Sequence, residues 1–208
     1  LNEAKKNFDY MVRIRRHMHE YPENSGVEYE TVKYIASELD ALGIEYVVVP
    51  EGGIIGQIHG GKPGKTVAIR EDIDALPMKE LTGLPFASEN DGACHSCGHD
   101  IHTTVLLYCA KVLSEIRGEL AGTVMLIFQP AEENFGGARI MIEDGLFDRF
   151  PCDAIFAMHN LPGFRPGQLL LREGATMASS ENILVHIEGK GGHGAMPHQS
   201  ADPVVAGS

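Results

Sequence analysis

The sequence predicts an α/β fold in which helices flank a mixed sheet. Short apolar runs bounded by Gly and Pro alternate along the chain with longer segments whose apolar residues recur at helical spacing. The chain has 208 residues and is 43% hydrophobic, so it can bury a full core. In folds of this class, ligands collect beyond the carboxyl ends of the strands. Polar residues that directly follow a strand are therefore the first candidates for a functional site.

Two helices and three strands are predicted for the first part of the chain. The helices cover residues 3–20 and 28–43, where apolar side chains recur at helical spacing and Gly43 stops the second helix. The strands cover residues 46–49, 54–58 and 67–69, which are rich in β-branched residues and separated by Gly and Pro.

Residues 60–66 have the composition of a phosphate-binding loop, with three glycines and a Lys-Thr pair. The first glycine that such a loop requires is replaced by His59, and a strand rather than a helix follows Thr66. We therefore predict a hairpin turn for this segment.

Helices and strands continue to alternate in the rest of the chain. Helices are predicted at 101–118 and 138–142, and strands at 124–128 and 154–158. The pattern changes after about residue 176, where a strand at 182–188, a glycine-rich loop at 189–197 and the start of a helix at 201–206 are predicted. Asp202 would cap that last helix, with Pro203 in its first turn. We accordingly predict one domain over 1–176 and the beginning of another over 177–208, in a chain that is part of a longer protein.

The composition limits the partners and the location. The net charge of −12, with one short basic cluster at residues 13–16, argues against a nucleic acid or an anionic membrane as partner. No apolar run approaches the roughly 18 residues of a membrane span, and residues 1–5 lack the apolar core of a signal peptide. The four unevenly spaced cysteines favour reduced thiols. We expect a cytoplasmic protein that acts on a small molecule.

Residues 94–102 concentrate two thiols and three imidazoles, and Glu132, Glu133 and His159 follow predicted strands further along. Thiolate, imidazole and carboxylate donors together suit Zn²⁺, Mn²⁺, Co²⁺ or Ni²⁺. A mixed donor set with spare carboxylates is typical of a catalytic centre rather than a closed structural site.

Several assignments within this set stay open. Cys94 and Cys97 could form half of a structural zinc site or a redox pair, although the pair Cys97 and His99 is favoured as ligands. His99 and His102 share one face of a helix, so either could bind a metal while the other supports it.

The acidic residues also leave alternatives. Glu132 and Glu133 could lie in a solvated loop, but adjacent carboxylates point in different directions, so one could bind a metal while the other acts as a base. Asp72 follows a strand and is interpreted as a support for a ligating imidazole. His17 and His19 are interpreted as ordinary surface residues of the first helix.

Five motifs in order resemble the amidohydrolase branch of the aminoacylase and carboxypeptidase G superfamily, which includes hippurate hydrolases and indole-acetyl-amino-acid hydrolases. They lie at residues 70–77, 95–100, 129–133, 158–160 and 189–193. The resemblance implies a zinc-exopeptidase-like catalytic domain over 1–176 and the start of an inserted α+β lid over 177–208. Glu71, Cys94 and Ser96 depart from the usual family residues without removing a ligand.

The resemblance also implies roles for individual residues. Two divalent ions (Zn, Mn, Co or Ni) would share Cys97, with His99 and His159 on one ion and Glu133 on the other. Glu132 would be the general base, and His193 would stabilise an oxyanion, often from a partner subunit. Asp72, Asp100 and His102 would support the ligands, and a last ligand would come from a later part of longer family members.

The activity implied is hydrolysis of an N-acyl amino acid to a carboxylic acid and a free amino acid, by a homodimer or homotetramer assembled through the lid. The same centre could serve a dipeptidase or an acetyl-diaminopimelate deacetylase. A metal-binding module without catalytic activity is the alternative from another class.

Overall fold

The computed structural model describes residues 5–50, 52–134, 136–179, 181 and 183–208. The chain divides into two compact units, Leu1–Pro162 and Gly163–Ser208. The domain boundary predicted after residue 176 stays a prediction. None of the described helices is long and apolar enough to cross a membrane.

The first unit alternates helices and strands much as the sequence predicts. Its helices are α1 (Phe8–Glu20), α2 (Tyr29–Ala41), α3 (His99–Glu115), α4 (Gly137–Glu143) and α5 (Leu146–Arg149), with a 3₁₀ turn at Arg117–Glu119. Its strands are β1 (Glu45–Val48), β2 (Ile54–His59), β3 (Lys62–Asp72), β4 (Ala121–Gln129) and β5 (Ala154–Ala157). Strand β3 extends well beyond the predicted residues 67–69, and α5 is not predicted by the sequence.

The five strands form one mixed sheet in the order β1-β2-β4-β3-β5. Strand β3 runs parallel to both β4 and β5, whereas β2 is antiparallel to β1 and β4. This confirms the predicted α/β class with a mixed sheet. Because three neighbouring strands are parallel, their carboxyl ends meet at one edge, and Asp72, Glu132, Glu133 and His159 lie at or directly after those ends.

The hairpin predicted at residues 60–66 is wrong. Strands β2 and β3 are not neighbours, because β4 lies between them. The connection instead passes against the chain that leads into β4, where Gly60 N–H donates to Gly122 O and Gly61 N–H donates to Arg117 O. A Cβ on Gly60 would lie 2.5 Å from Leu120 O, so this close approach requires glycine.

Two apolar layers, one on each face of the sheet, form the core of this unit. Alternate residues of β4 supply them: Leu126 and Phe128 belong to the layer with α1, α2 and α3, and Met125 and Ile127 belong to the layer with α4 and α5. Phe128 is fully buried, and a side chain of this size contributes about 1.5–3 kcal/mol when it leaves water. Both faces of the central strand are thus fixed by packing.

The second unit has little regular structure. It contains a 3₁₀ turn at Pro197–Gln199, the short helix α6 (Pro203–Gly207) and a bridge between Lys190 and Ala201. The Asp202 carboxylate accepts the Val204 N–H, which confirms the predicted cap.

The strand predicted at 182–188 is wrong for the residues that the structure describes, since 183–188 are not part of a strand. Asn182 lies outside the described residues. Leu184 is 97% exposed, and no strand pairs with this segment in the described part of the unit. A run of β-branched residues becomes a strand of a sheet only where a neighbouring strand pairs with its backbone N–H and C=O groups.

Candidate metal centre

The predicted ligands of the first unit converge at the carboxyl edge of the parallel strands. Ligand atoms of Cys97, His99 and His159 lie within 4.8 Å of one another, and so do those of His99, Glu132 and Glu133. His99 is common to both groups and is the first residue of α3. A third such group, Asp72, His99 and His102, overlaps these two, so sulfur, nitrogen and oxygen donors occur at one place.

His99 is oriented by its contact with the main chain. Its ring is completely buried, and Nδ1 lies 2.8 Å from the carbonyl oxygen of Asp74, which only an Nδ1–H donor can satisfy. The lone pair therefore resides on Nε2 and points into the centre. Nε2 lies 3.8 Å from Glu133 Oε1 and 3.9 Å from Glu132 Oε2.

Among the described ligand candidates, His99 Nε2 and Glu133 Oε1 are buried without a hydrogen-bond partner. When His99 is neutral, as a metal ligand must be, both atoms are acceptors, so neither can satisfy the other, and leaving them unpaired in a buried site is costly. A divalent cation between them would satisfy both. The residues present therefore fit a metal.

Cys97 and His159 form the outer part of the centre. Cys97 Sγ lies 3.4 Å from His159 Nε2, and His159 Nδ1 donates to the carbonyl oxygen of Asn160 at 2.7 Å. Burial, reinforced by the charge of Glu133, raises the pKa of the Cys97 thiol to about 12. Without a cation the thiol keeps its proton, and binding of a cation has to displace it.

His102 differs from His99 because both of its ring nitrogens already have protein partners. Nδ1 lies 2.6 Å from Asp72 Oδ1, and Nε2 contacts Asn160, whose N–H lies 3.1 Å away. Asp72 is in turn held by Arg70 at 3.1 Å. These contacts favour His99 as ligand and His102 with Asp72 as supports, and the roles themselves stay predictions.

Glu132 is the most accessible carboxylate of the centre, with its side chain 41% exposed. Burial of the remainder, followed by repulsion from Glu133, raises the pKa of Glu132 above its ordinary value.

Asp74, for which the sequence analysis proposes no role, joins three parts of the site. Its Oδ2 accepts the Glu133 N–H at 3.0 Å and the Ser25 hydroxyl at 2.6 Å. Burial alone would raise the pKa of Asp74, but hydrogen bonds from His99, Ser25 and Glu133 lower it to about 2. The two-residue spacing of Asp72 and Asp74 was the available signal, because it places both side chains on one side of an extended chain.

Asp100 is fully buried and faces α1 rather than the centre. Its Oδ2 lies 2.7 Å from His19 Nδ1 and 3.0 Å from Arg15 Nε. The interpretation of His19 as a surface residue is therefore wrong, because Arg15 and His19 are one turn apart on the face of α1 that packs against α3. His17 does not contact the centre; its ring packs on Tyr34 at a centroid distance of 3.8 Å.

His193 belongs to the second unit, where it lies in an exposed loop and its Nδ1 accepts the Ala195 N–H at 3.2 Å. Its predicted role in catalysis stays a prediction.

Known proteins are similar to this chain in sequence and in fold. The chain is 46% identical to an N-acetylcysteine deacetylase of Bacillus subtilis (strain 168), over 94% of this chain and 52% of that protein. It is 42% identical to a hippurate hydrolase of Campylobacter jejuni, over 94% of this chain and 51% of that protein. The chain thus spans about half the length of these relatives.

A solved structure from Bacillus subtilis, described as a dinuclear metal binding peptidase of the M20 family, superposes with a TM-score of 0.73 at 46% identity. The match covers 76% of this chain and 45% of that one. The model of peptidase family M20/M25/M40 matches residues 68–205, which include every residue of the candidate centre. The chain belongs to peptidase family M20/M25/M40.

Proposed function

We propose that this chain is part of a metal-dependent amidohydrolase that cleaves an N-acyl amino acid into a carboxylic acid and a free amino acid. The observation that carries the proposal is the buried, unpartnered pair of His99 Nε2 and Glu133 Oε1, 3.8 Å apart, with the accessible carboxylate of Glu132 beside it. The names of two relatives support the substrate class, since N-acetylcysteine and hippurate are both amides of an amino acid.

Cys97, His99, Glu133 and His159 would hold two divalent ions, of zinc, manganese, cobalt or nickel. Such ions lower the pKa of a water molecule towards neutrality and withdraw electron density from the scissile carbonyl. Cys97 is suited to the shared position because its Sγ lies 3.4 Å from His159 Nε2 and within the same group of ligand atoms as His99, which also belongs to the group with Glu133.

Glu132 would accept the proton of the attacking water and deliver it to the departing nitrogen. Its side chain is the most accessible carboxylate of the centre, and a positioned base of this kind contributes about 10²–10⁴ in rate. His193 would donate a hydrogen bond to the oxyanion, and donors in this position contribute about 3–4 kcal/mol. We propose a cytoplasmic homodimer or homotetramer, assembled through the lid, as the active form.

The decisive experiment is a metal count on the intact protein, combined with a hydrolysis screen. The protein is loaded with Zn²⁺, Mn²⁺, Co²⁺ or Ni²⁺ and tested on acetyl, benzoyl and indole-acetyl amino acids, with Glu132→Gln as the matched control. Two ions per chain and release of free amino acid support the proposal. One tightly held zinc without turnover would identify a metal-binding module instead.

A peptidase is the second candidate, because the superposed Bacillus structure is described as one. Dipeptides and acetyl-diaminopimelate belong in the same screen. Turnover of dipeptides far above that of N-acyl amino acids would move the substrate class from acyl groups to peptides.

A further inference from the structure

Two buried glutamates are not among the proposed ligands. Each of them, however, contacts a segment of the chain that carries a proposed ligand. Glu28 is 1% exposed, and its Oε1 accepts the N–H of Ala131, which directly precedes Glu132, at 2.7 Å. Glu71 is also 1% exposed, and its Oε1 accepts the N–H of Met158, which directly precedes His159, at 3.2 Å. In both residues the second oxygen is buried without a hydrogen-bond partner.

We propose that Glu28 and Glu71 are positioning residues, each of which fixes the backbone of one part of the metal centre. Glu28 sets the direction of Glu132 and Glu133, and Glu71 sets the position of His159. The proposal rests on the metal centre of the proposed function.

Glu28 stabilises a backbone conformation of Ala131 that alanine rarely adopts. Ala131 has φ +48°, in the left-handed region that favours glycine. Its N–H is held by Glu28, and its carbonyl oxygen accepts the N–H groups of Gly136 and Gly137. Strained residues of this kind persist only where the surroundings fix them, and they occur at functional sites. The turn at Ala131 determines where Glu132 and Glu133 point.

Glu71 supplies a hydrogen-bond acceptor for Met158 where the sheet offers none. The ladder between β3 and β5 ends at the pair Arg70 and Ala157, so the Met158 N–H has no partner strand. Glu71 accepts it instead, and beyond His159 the Asn160 N–H donates to His102 Nε2. The exposed His159 is thus held between two buried side chains.

The chemistry of the two glutamates argues against a role in stability alone. A buried carboxyl group with one unpartnered oxygen stabilises a fold poorly, and an apolar side chain would fill the same volume better. Burial raises the pKa of both groups, that of Glu71 to about 7. Glutamine keeps a side-chain oxygen that can accept the N–H, whereas leucine removes the acceptor.

The test uses the intact protein with Glu28→Gln, Glu28→Leu, Glu71→Gln and Glu71→Leu. Glu38→Leu is the matched control, because Glu38 is also buried but pairs with Arg13, away from the centre. Hydrogen exchange of peptides covering 129–134 and 154–160 reports backbone order, and titration with Co²⁺ followed by visible absorption reports the two sites separately. Neither measurement depends on turnover.

Glu71→Leu should speed exchange in 154–160 and weaken Co²⁺ binding at the His159 site about 10–100-fold, the usual effect of losing a residue that orients a ligand. Glu28→Leu should do the same for 129–134 and the Glu133 site. Each leaves the other segment unchanged, the glutamine variants behave as wild type, and Glu38→Leu lowers only the unfolding temperature. Methionine replaces leucine in any variant that does not fold.

The proposal is overturned if the leucine variants lower the unfolding temperature like Glu38→Leu but leave local exchange and Co²⁺ affinity unchanged. Wild-type protein that binds no Co²⁺ would instead refute the proposed metal centre. In that case, the exchange rates of 129–134 and 154–160 would by themselves test whether Glu28 and Glu71 position the backbone.

Discussion

At the scale of single residues, identical side chains differ in role because their hydrogen bonds differ. In His99 and in His159, the Nδ1–H group donates to a main-chain carbonyl oxygen, so Nε2 is the nitrogen that can bind a metal. His102 has both nitrogens engaged by Asp72 and Asn160. The sequence spacing leaves His99 and His102 equivalent, and only the positions of their acceptors separate them.

Glu132→Gln keeps the shape of the side chain but cannot accept a proton from water. Turnover should fall by about 10²–10⁴ while the metal content stays that of the wild type. Steady-state kinetics and elemental analysis on the same preparation check this. Activity close to wild type would remove Glu132 from the mechanism.

Cys97→Ser should reduce metal occupancy itself, because a hydroxyl is a much poorer shared ligand than a thiolate. Cys94→Ser is the matched control, since Cys94 is buried and its Sγ contacts Ser96 Oγ at 3.0 Å. Elemental analysis should show ions lost from the first variant only. If the outcome were reversed, Cys94 would replace Cys97 in the ligand set.

The sequence predicts the candidate metal ligands better than it predicts the residues that fix their positions. Cys97, His99 and Glu133 are recognisable because the donor types of metal ligands are few. Glu28 and Glu71 could not be recognised, because they contact main-chain N–H groups 103 and 87 residues away. A main-chain group leaves no signature in the sequence that would identify its partner.

At the scale of elements, the carboxylate of Asp100 joins helices α1 and α3. Its partners are Arg15 and His19 from α1, and Glu80 contacts the other nitrogen of His19. Hydrogen bonding to Asp100 raises the pKa of His19 above 6.5. The pKa values of Asp100 and Glu80 lie below their ordinary values in spite of burial, so both stay ionised where His19 titrates.

His19→Gln should therefore cost more stability at low pH than at high pH. The folded-state pKa of His19 is raised, so its contribution is complete below about 6.5, the unfolded value, and is lost as pH rises through the folded value. Urea unfolding of both proteins between about pH 5.5 and pH 9 measures the difference.

His17→Gln is the control with the opposite sign. Burial lowers the pKa of His17, so charging this residue at low pH destabilises the wild type. The wild type should lose its advantage over His17→Gln as pH falls. An equal pH dependence for both variants would show that the bond between His19 and Asp100 does not stabilise the packing of α1 on α3.

In the first unit, the sequence predicts which segments form strands but not which strands are neighbours. Strands β2 and β3 are separated by a short connection, which suggests a hairpin, yet β4 lies between them. Strand β4 is buried over Met125–Gln129, and a central position covers both of its faces. The order of strands is therefore set by which strand has apolar residues to bury on both faces. The distance between strands along the sequence does not indicate this.

At the scale of the whole molecule, His193 belongs to the second unit and the metal ligands to the first. The role proposed for His193 requires it to reach the substrate on closure, and Gly191, Gly192 and Gly194 around it permit large backbone changes. A contact of this kind is made mainly in the transition state.

His193→Ala should leave folding and metal content intact and lower kcat more than it changes KM. Kinetics on the intact protein, with circular dichroism and elemental analysis, check the three parts of this expectation. His198→Ala, in the 3₁₀ turn that follows, is the matched control and should keep wild-type kinetics. Loss of metal, or an unchanged kcat, would return His193 to the role of a surface histidine.

The left-handed conformation of Ala131 bears on any attempt to make this protein more heat-tolerant. Design for stability would select Ala131→Gly, because glycine relieves about 1–2 kcal/mol of conformational strain. The added freedom of the unfolded chain offsets roughly 0.5–1 kcal/mol of that gain. A thermal melt should therefore show little change, but Glu132 and Glu133 would follow a more flexible turn and turnover should decrease. Selection by melting temperature alone would accept this variant, so screening at this position needs an activity assay beside the melt.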